Sequence, residues 1–244
     1  MKIKVINPNT TQSMTDKIGA AAMDVANAQT QVVAVSPRMG PVSIEGHYDE
    51  AISAIGVIDE VLRGEAEGFD GYLIACFDDP GLGAAREIAR GPVLGIAEAA
   101  MHTASYISGG FTVVSTLHRS RIILEHLVRA YGMEHKCRKV RTTELAVLDL
   151  EVEGSDAQSI LVEECRRAIA EDGSDCIVLG CAGMADLAAT ISRECGVPVV
   201  DGVASGVKAL EGLIGLGLST SRAGGYARPL RKTYVGSMAQ YEPR

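Results

Sequence analysis

The chain has 244 residues, 47% apolar and 22% charged, with three Phe and no Trp. That length suits one large or two small domains around a mostly aliphatic core. A net charge of −8 argues against nucleic acid or an acidic membrane as partner, and no uninterrupted apolar run is long enough to span a bilayer.

Residues 2–6 alternate and predict a strand. Asn7-Pro8-Asn9-Thr10-Thr11 is turn chemistry, with Thr11 or Ser13 placed to cap the next helix. That helix covers residues 14–28, through Met14, Ile18, Ala21, Ala22 and Val25. Residues 31–35 read as a second strand. A Gly- and Pro-rich loop, 36–48, is a candidate functional loop. Residues 49–66 are helical through Ile52, Ile55, Ile58 and Leu62. Tyr72 to Ala75 is a near-continuous apolar run, which fits a parallel strand buried on both faces. Asp79 and Pro80 form an N-cap and first-turn pair for a helix running through Ala84, Ala85 and Ile88. Val93-Leu94 is a fourth strand, and Ile96 to Ser105 a helix.

The second half repeats the plan. Phe111 to Ser115 is a strand, Thr116 to Ser120 a polar turn, and Arg121 to Tyr131 a helix. A strand-like stretch lies within Val140 to Leu150. Ser155-Asp156 opens a long helix through Ile160, Leu161, Cys165 and Ile169. Cys176 to Leu179 is a strand, Val207 to Leu216 a helix, and residues 220–244 are basic and loop-like. Alternating strands and helices predict an α/β fold with parallel sheets.

Two stretches echo each other: Gly71 to Leu82, which contains Cys76, and Asp175 to Met184, which contains Cys181. Cys76 to Pro92 and Cys181 to Pro198 span 16 and 17 residues, and Asn9 to Cys76 and Thr116 to Cys181 span 67 and 65. These spacings read as an internal duplication giving two similar lobes. Sites are then expected at the C-terminal ends of the strands.

A cysteine is usually a small buried hydrophobe, and that reading suits Cys137, Cys165, Cys176 and Cys195. Cys76 and Cys181 differ: each ends a buried strand and meets a helix N-terminus, where a thiolate or an anionic ligand is stabilised. The chain enters a strand at once, so no signal peptide is expected, and reduced thiols in a cytoplasmic protein follow. No Cys-x-x-Cys and no zinc spacing occurs, so no metal is expected. Gly81-Leu-Gly83-Ala-Ala-Arg86 only partly matches a dinucleotide loop, because Arg86 fills the slot that needs Gly or Ala. No cofactor is expected.

Several motifs together, Ile6-Asn7-Pro8-Asn9-Thr10, Gly40-Pro41-Val-Ser43-Ile-Glu45-Gly46, Ala75-Cys76-Phe-Asp78-Asp79-Pro80-Gly81-Leu82, Gly180-Cys181-Ala-Gly183-Met184 and Pro198-Val-Val-Asp201-Gly202, resemble the hydantoin racemases of the Asp/Glu/hydantoin racemase superfamily. The resemblance covers nearly the whole chain. It implies a cofactor-independent racemase with one cysteine from each lobe, an active site in the cleft between them, and a homo-oligomer. It also implies that the chain leaves the first lobe, builds the second and returns, giving lobes of 1–97 with 208–244 and of 98–207.

The chemistry fits those residues. Racemisation at C5 of a 5-monosubstituted hydantoin needs a thiolate on one face and a thiol on the other, the expected roles of Cys76 and Cys181. Backbone N–H groups at Phe77, Asp78 and Asp79 and at Ala182 and Gly183 are candidates to hold the enolate. Asn9, Thr10, Ser115 and Thr116 can hydrogen-bond the ring, and the loop containing Ser43 and Ile44 can close over it. Asp79 reads as a helix cap rather than an acid. Asp78 and Asp79 beside Cys76 predict that Cys181 is the more readily ionised cysteine. Two alternatives stay open: an allantoin racemase of the same family, and a non-catalytic two-lobed protein that binds a small molecule.

Overall fold

The computed structural model describes residues 1–152 and 154–243. Among these, strands β1 (Lys2–Ile6), β2 (Gln31–Val35), β3 (Gly71–Ile74) and β4 (Val93–Gly95) form one parallel sheet in the order β2-β1-β3-β4. Strands β5 (Phe111–Ser115), β6 (Cys137–Thr142), β7 (Cys176–Leu179) and β8 (Val199–Val200) form a second, in the matching order β6-β5-β7-β8. The helices are α1 (Gln12–Val25), α2 (His47–Glu67), α3 (Leu82–Ile88), α4 (Ile96–Ile107), α5 (Arg121–Ala130), α6 (Ala157–Asp172), α7 (Ala188–Cys195) and α8 (Gly202–Gly215). This is an α/β fold of two parallel four-stranded sheets flanked by helices.

The unbroken apolar runs of β3 and β7 have a physical reason. Leu73 faces a core shared by both sheets, while Tyr72 and Ile74 face a cluster under α2 and α3 with Val57, Val61 and Leu82. In β7, Val178 joins the shared core, while Ile177 and Leu179 pack outward on Leu161, Cys165 and Ile191 of α6 and α7. A strand covered on both faces has no polar side to alternate with.

The shared core draws Val5 and Leu73 from the first sheet and Val113 and Val178 from the second, with α1, α4 and α8 between them. Helix α4 follows the first sheet yet packs on β7, and α8 follows the second yet packs on β3 and β4. The two helices also pack on each other, so each half of the chain sends a helix across.

Four expectations need correction. Strand β6 begins at Cys137, and Val147–Glu151 is a 3-10 turn, because the charged β6 sequence sits at a sheet edge and hides its apolar pattern. Helix α8 starts at Gly202, where the Asp201 carboxylate accepts from Val203 N and Ala204 N. The tail carries a 3-10 turn at Gly236–Tyr241. Thr11 stands at the N-cap of α1 without a side-chain cap bond; its hydroxyl donates to Val42 O at 2.6 Å. Among the described residues no helix is long and apolar enough to cross a membrane.

Candidate active site

Both halves end their central strands in the same way. Ala75 N donates to Ile6 O across the end of β1 and β3, and Gly180 N donates to Val114 O across β5 and β7. One residue later in each case comes a cysteine. The two cysteines, Cys76 and Cys181, line a single cleft at the C-terminal strand ends, where open parallel sheets place their ligands. The cleft is narrow and partly open to solvent. None of the six cysteines is in a disulfide.

Neither cysteine sits directly on an α-helix N-terminus, which corrects the sequence expectation. Residues 77–81 separate Cys76 from α3, whose N-cap is Gly81 with φ 72°. Cys181 precedes a 3-10 turn, Ala182–Leu187, before α7 begins. Local amides replace the helix dipole. Asp78 N–H hydrogen-bonds the Cys76 sulfur and lowers its pKa, but burial first and the Asp78 charge second push that thiol well above its ordinary value. Ala182 and Gly183 open their turn, so their N–H groups have no acceptor within it.

Asp79 is a cap, though not of the expected helix. Its Oδ1 accepts from Ala97 N at 3.1 Å and its Oδ2 from Glu98 N at 3.1 Å, so it caps α4 rather than α3. Tyr131, at the end of α5, donates its hydroxyl to Asp79 Oδ2 at 2.7 Å. A Cβ at Gly95 would lie 2.1 Å from Asp79 Cγ, so only glycine lets the carboxylate reach the helix end. Asp79 itself has φ 45°, a left-handed conformation that costs a non-glycine residue energy. Burial, opposed by these hydrogen bonds, raises its pKa to about 7.

The second lobe has its own close approach. Ser115 Oγ donates to Gly180 O at 2.8 Å, and a Cβ at Gly180 would lie 2.7 Å from Ser115 Cβ. Asn9 Oδ1 accepts from Asn7 Nδ2 at 2.8 Å and from Thr11 N at 2.9 Å, which fixes the amide with its Nδ2 beside Met14 Sδ at 3.2 Å. A sulfur is a weak acceptor, so that amide keeps donor capacity for a ligand.

The Asp/Glu/Hydantoin racemase family model matches residues 3–210. The chain belongs to that family. It is 49% identical over 241 residues to a hydantoin racemase of Pseudomonas sp., covering 99% of this chain and 97% of the relative. It is 50% identical to a hydantoin racemase of Rhizobium meliloti, covering 97% and 98%. The solved structure of an allantoin racemase from Klebsiella pneumoniae superposes with a TM-score of 0.97 at 51% identity, covering all of both chains. Identity at this level over the full length makes the chain a racemase, an isomerase.

Of the residues expected at the racemase site, Asn9, Ile44, Cys76, Phe77, Asp78, Ser115, Thr116, Cys181 and Ala182 line the cleft. Four do not. Thr10 gives its hydroxyl to Pro41 O at 3.2 Å. Ser43 is partly exposed outside the lining, Asp79 is turned to α4, and Gly183 stands behind Cys181, where an added Cβ would lie 3.7 Å from its sulfur. The loop 36–48 is tied down on both sides: Thr10 N donates to Pro41 O, Ser120 Oγ to Glu45 O, and Val147 N to Glu45 Oε1.

Met14, Ala75, Ser120, Val147 and Gly180 also line the cleft, and the sequence does not mark them as site residues. Met14 is legible only as a core position of α1. Ser120 ends a 3-10 turn and Val147 begins one, and nothing in their local pattern distinguishes them from loop residues. Arg86 does not clamp a ligand; its guanidinium pairs with Glu98 and donates to Val93 O. Glu98 is occupied by that pair and Asp201 by the α8 cap. Among the described residues no group of three or more His, Cys, Asp or Glu could hold a metal ion.

Proposed function

We propose that the racemase acts on 5-monosubstituted hydantoins, with Cys76 and Cys181 as its two acid/base groups. The observation that carries this reading is the pair of cysteines, one from each sheet, at the wall of one cleft. One thiolate takes the proton from C5, and the C–H electron pair moves into the ring carbonyl to give an enolate. The other thiol gives its proton to the opposite face of C5. The cysteines have then exchanged protonation states, and the reverse reaction uses them in the opposite order. The N–H groups of Phe77 and Ala182 and the Asn9 amide are candidates to hold the enolate oxygen.

Full-length identity to two hydantoin racemases supports the substrate class. Met14, Ile44, Phe77 and Val147 give the cleft an apolar side that suits an alkyl or aryl substituent. A second reading, allantoin, is favoured by the likeness to the Klebsiella pneumoniae allantoin racemase and by the polar lining of Asp78, Thr116 and Ser120. The racemase is expected to work as a cytoplasmic homo-oligomer and to need no cofactor.

The test follows the optical rotation of L- and D-hydantoins, and of allantoin, without cofactor and with a chelator present. Rotation should decay to zero from either enantiomer. Cys76→Ala and Cys181→Ala should each slow it by about 10²–10⁴-fold, while Cys137→Ala and Cys195→Ala leave it nearly unchanged. Either single mutant keeping wild-type turnover would rule out the two-thiol reading. Binding with no loss of rotation would make the chain a binding protein.

A further inference from the structure

Among the described residues that line the cleft, Asp78 is the one with a buried side-chain atom that has no hydrogen-bond partner. The residue is 7% exposed and lines the cleft beside Cys76, and its Oδ2 is buried without a hydrogen-bond partner. Its neighbour Asp79 receives three donors on its two oxygens. The other buried unpaired side-chain atoms among the described residues, on Ser53, Arg222 and Tyr241, lie outside the cleft. Buried polar groups are hydrogen-bonded as a rule, and a carboxylate left without a donor is the costliest exception. An unmatched acceptor at the wall of a binding cleft therefore points to a donor carried by the ligand.

The surroundings add a second constraint. Glu50 and Asp49, from the first turn of α2, act on Asp78 together with Asp79. None of the three lines the cleft, so the charge that a ligand meets there is that of Asp78 itself, which repels anions when ionised.

We propose that Asp78 is a specificity-determining residue whose Oδ2 accepts a hydrogen bond from a substrate N–H attached directly to C5, and whose charge excludes anionic C5 substituents. The assignment rests on reading the cleft as a hydantoin site. Asp78 lies two residues beyond Cys76, so an N–H bonded to the reacting carbon is the donor nearest to hand. Two sources offer it: the ring N1–H of every hydantoin, and the ureido N–H of allantoin.

The experiment compares kcat/KM of the wild type, Asp78→Ala and Asp78→Asn on four substrates: 5-methylhydantoin, 1,5-dimethylhydantoin, allantoin and 5-carboxymethylhydantoin. Burial and the neighbouring carboxylates hold the Asp78 pKa up to about 7, so the assay is run at about pH 8, with Asp78 ionised. Asp78→Ala should lose about tenfold to a hundredfold on 5-methylhydantoin, lose little on the N1-methylated ring, and gain on the carboxymethyl substrate. A loss on allantoin alone assigns the ureido donor; a loss on both assigns the ring donor. Asp78→Asn, which keeps an acceptor oxygen without the charge, should retain most activity on donor substrates and also admit the anion. It covers the case in which the alanine variant does not fold. Altered ionisation of Cys76 would scale all four substrates alike, so the ratios isolate the hydrogen bond. Equal losses across the four by an active enzyme overturn the assignment alone. A wild type inert toward every hydantoin overturns the reading beneath it, and the assignment with it.

Discussion

A thiol buried beside carboxylates is a poor thiolate, and Cys76 is in that position. Burial raises its pKa most, the Asp78 charge next, and Cys181 and Asp79 add to it, against one hydrogen bond from Asp78 N–H. Cys181 is followed by Ala182, Gly183 and Met184, which carry no charge. Iodoacetamide alkylation should therefore show a higher apparent pKa for Cys76, read in Cys181→Ala, than for Cys181, read in Cys76→Ala. An equal or lower value for Cys76 would sink the asymmetry. The sequence carries half of this: Asp78 and Asp79 are visibly near Cys76. Their separate roles are not legible there, because Asp79 turns to a helix that starts at Ile96 and only Asp78 is left facing the cleft.

Asp78 also makes a prediction about pH. Burial, then Glu50, Asp79 and Asp49, lift its pKa from 3.8 to about 7. Between those values the native state holds a proton that the unfolded chain has released. Wild-type stability attributable to Asp78 is thus present below about pH 4 and is lost as pH rises towards 7. A tenfold change in proton affinity is worth about 1.4 kcal/mol, so the full effect is on the order of a few kcal/mol. Asp78→Asn stays neutral throughout, and its melting temperature relative to wild type should climb from pH 4 to pH 8. A difference that does not change with pH contradicts the raised pKa.

At the scale of elements, α4 is held at its start by a residue of the turn between β3 and α3. Asp79 ties the Cys76 turn to the α4 N-terminus and, through Tyr131, to the end of α5. Removing the Tyr131 hydroxyl leaves Asp79 Oδ2 with the Glu98 amide alone. Tyr131→Phe should cost about 1–3 kcal/mol and Asp79→Ala at least as much, read as a lower urea midpoint at unchanged slope. A midpoint at the wild-type value in both variants would remove the cap from the account. The strands are legible in the sequence because β3 and β7 are apolar on both faces. The Tyr131–Asp79 bond joins residues 52 apart in the chain, and no local pattern announces it. The same is true of Ser120 and Val147, which line the cleft and each bond to Glu45 of loop 36–48.

At the scale of the molecule, the duplicated sequence invites the picture of two lobes that fold separately, and the packing argues otherwise. Val5 and Leu73 of the first sheet and Phe111, Val113 and Val178 of the second belong to one buried cluster, with Ile96, Val203 and Val207 of α4 and α8 in its middle. A fragment of residues 98–207 would lack α1 and most of α8, and so would expose the core face of its sheet. Each Å² of apolar surface so exposed costs about 25 cal/mol, against a net domain stability of only about 5–15 kcal/mol. The full chain should therefore unfold in a single calorimetric transition, with van't Hoff and calorimetric enthalpies equal, and the fragment should show no cooperative melt. Two resolved transitions, or a fragment that melts cooperatively, would mean that each lobe holds its own core. Under the single-transition outcome, a destabilising change in either sheet loosens both walls of the cleft together, since Cys76 and Cys181 hang from strands of the same buried cluster.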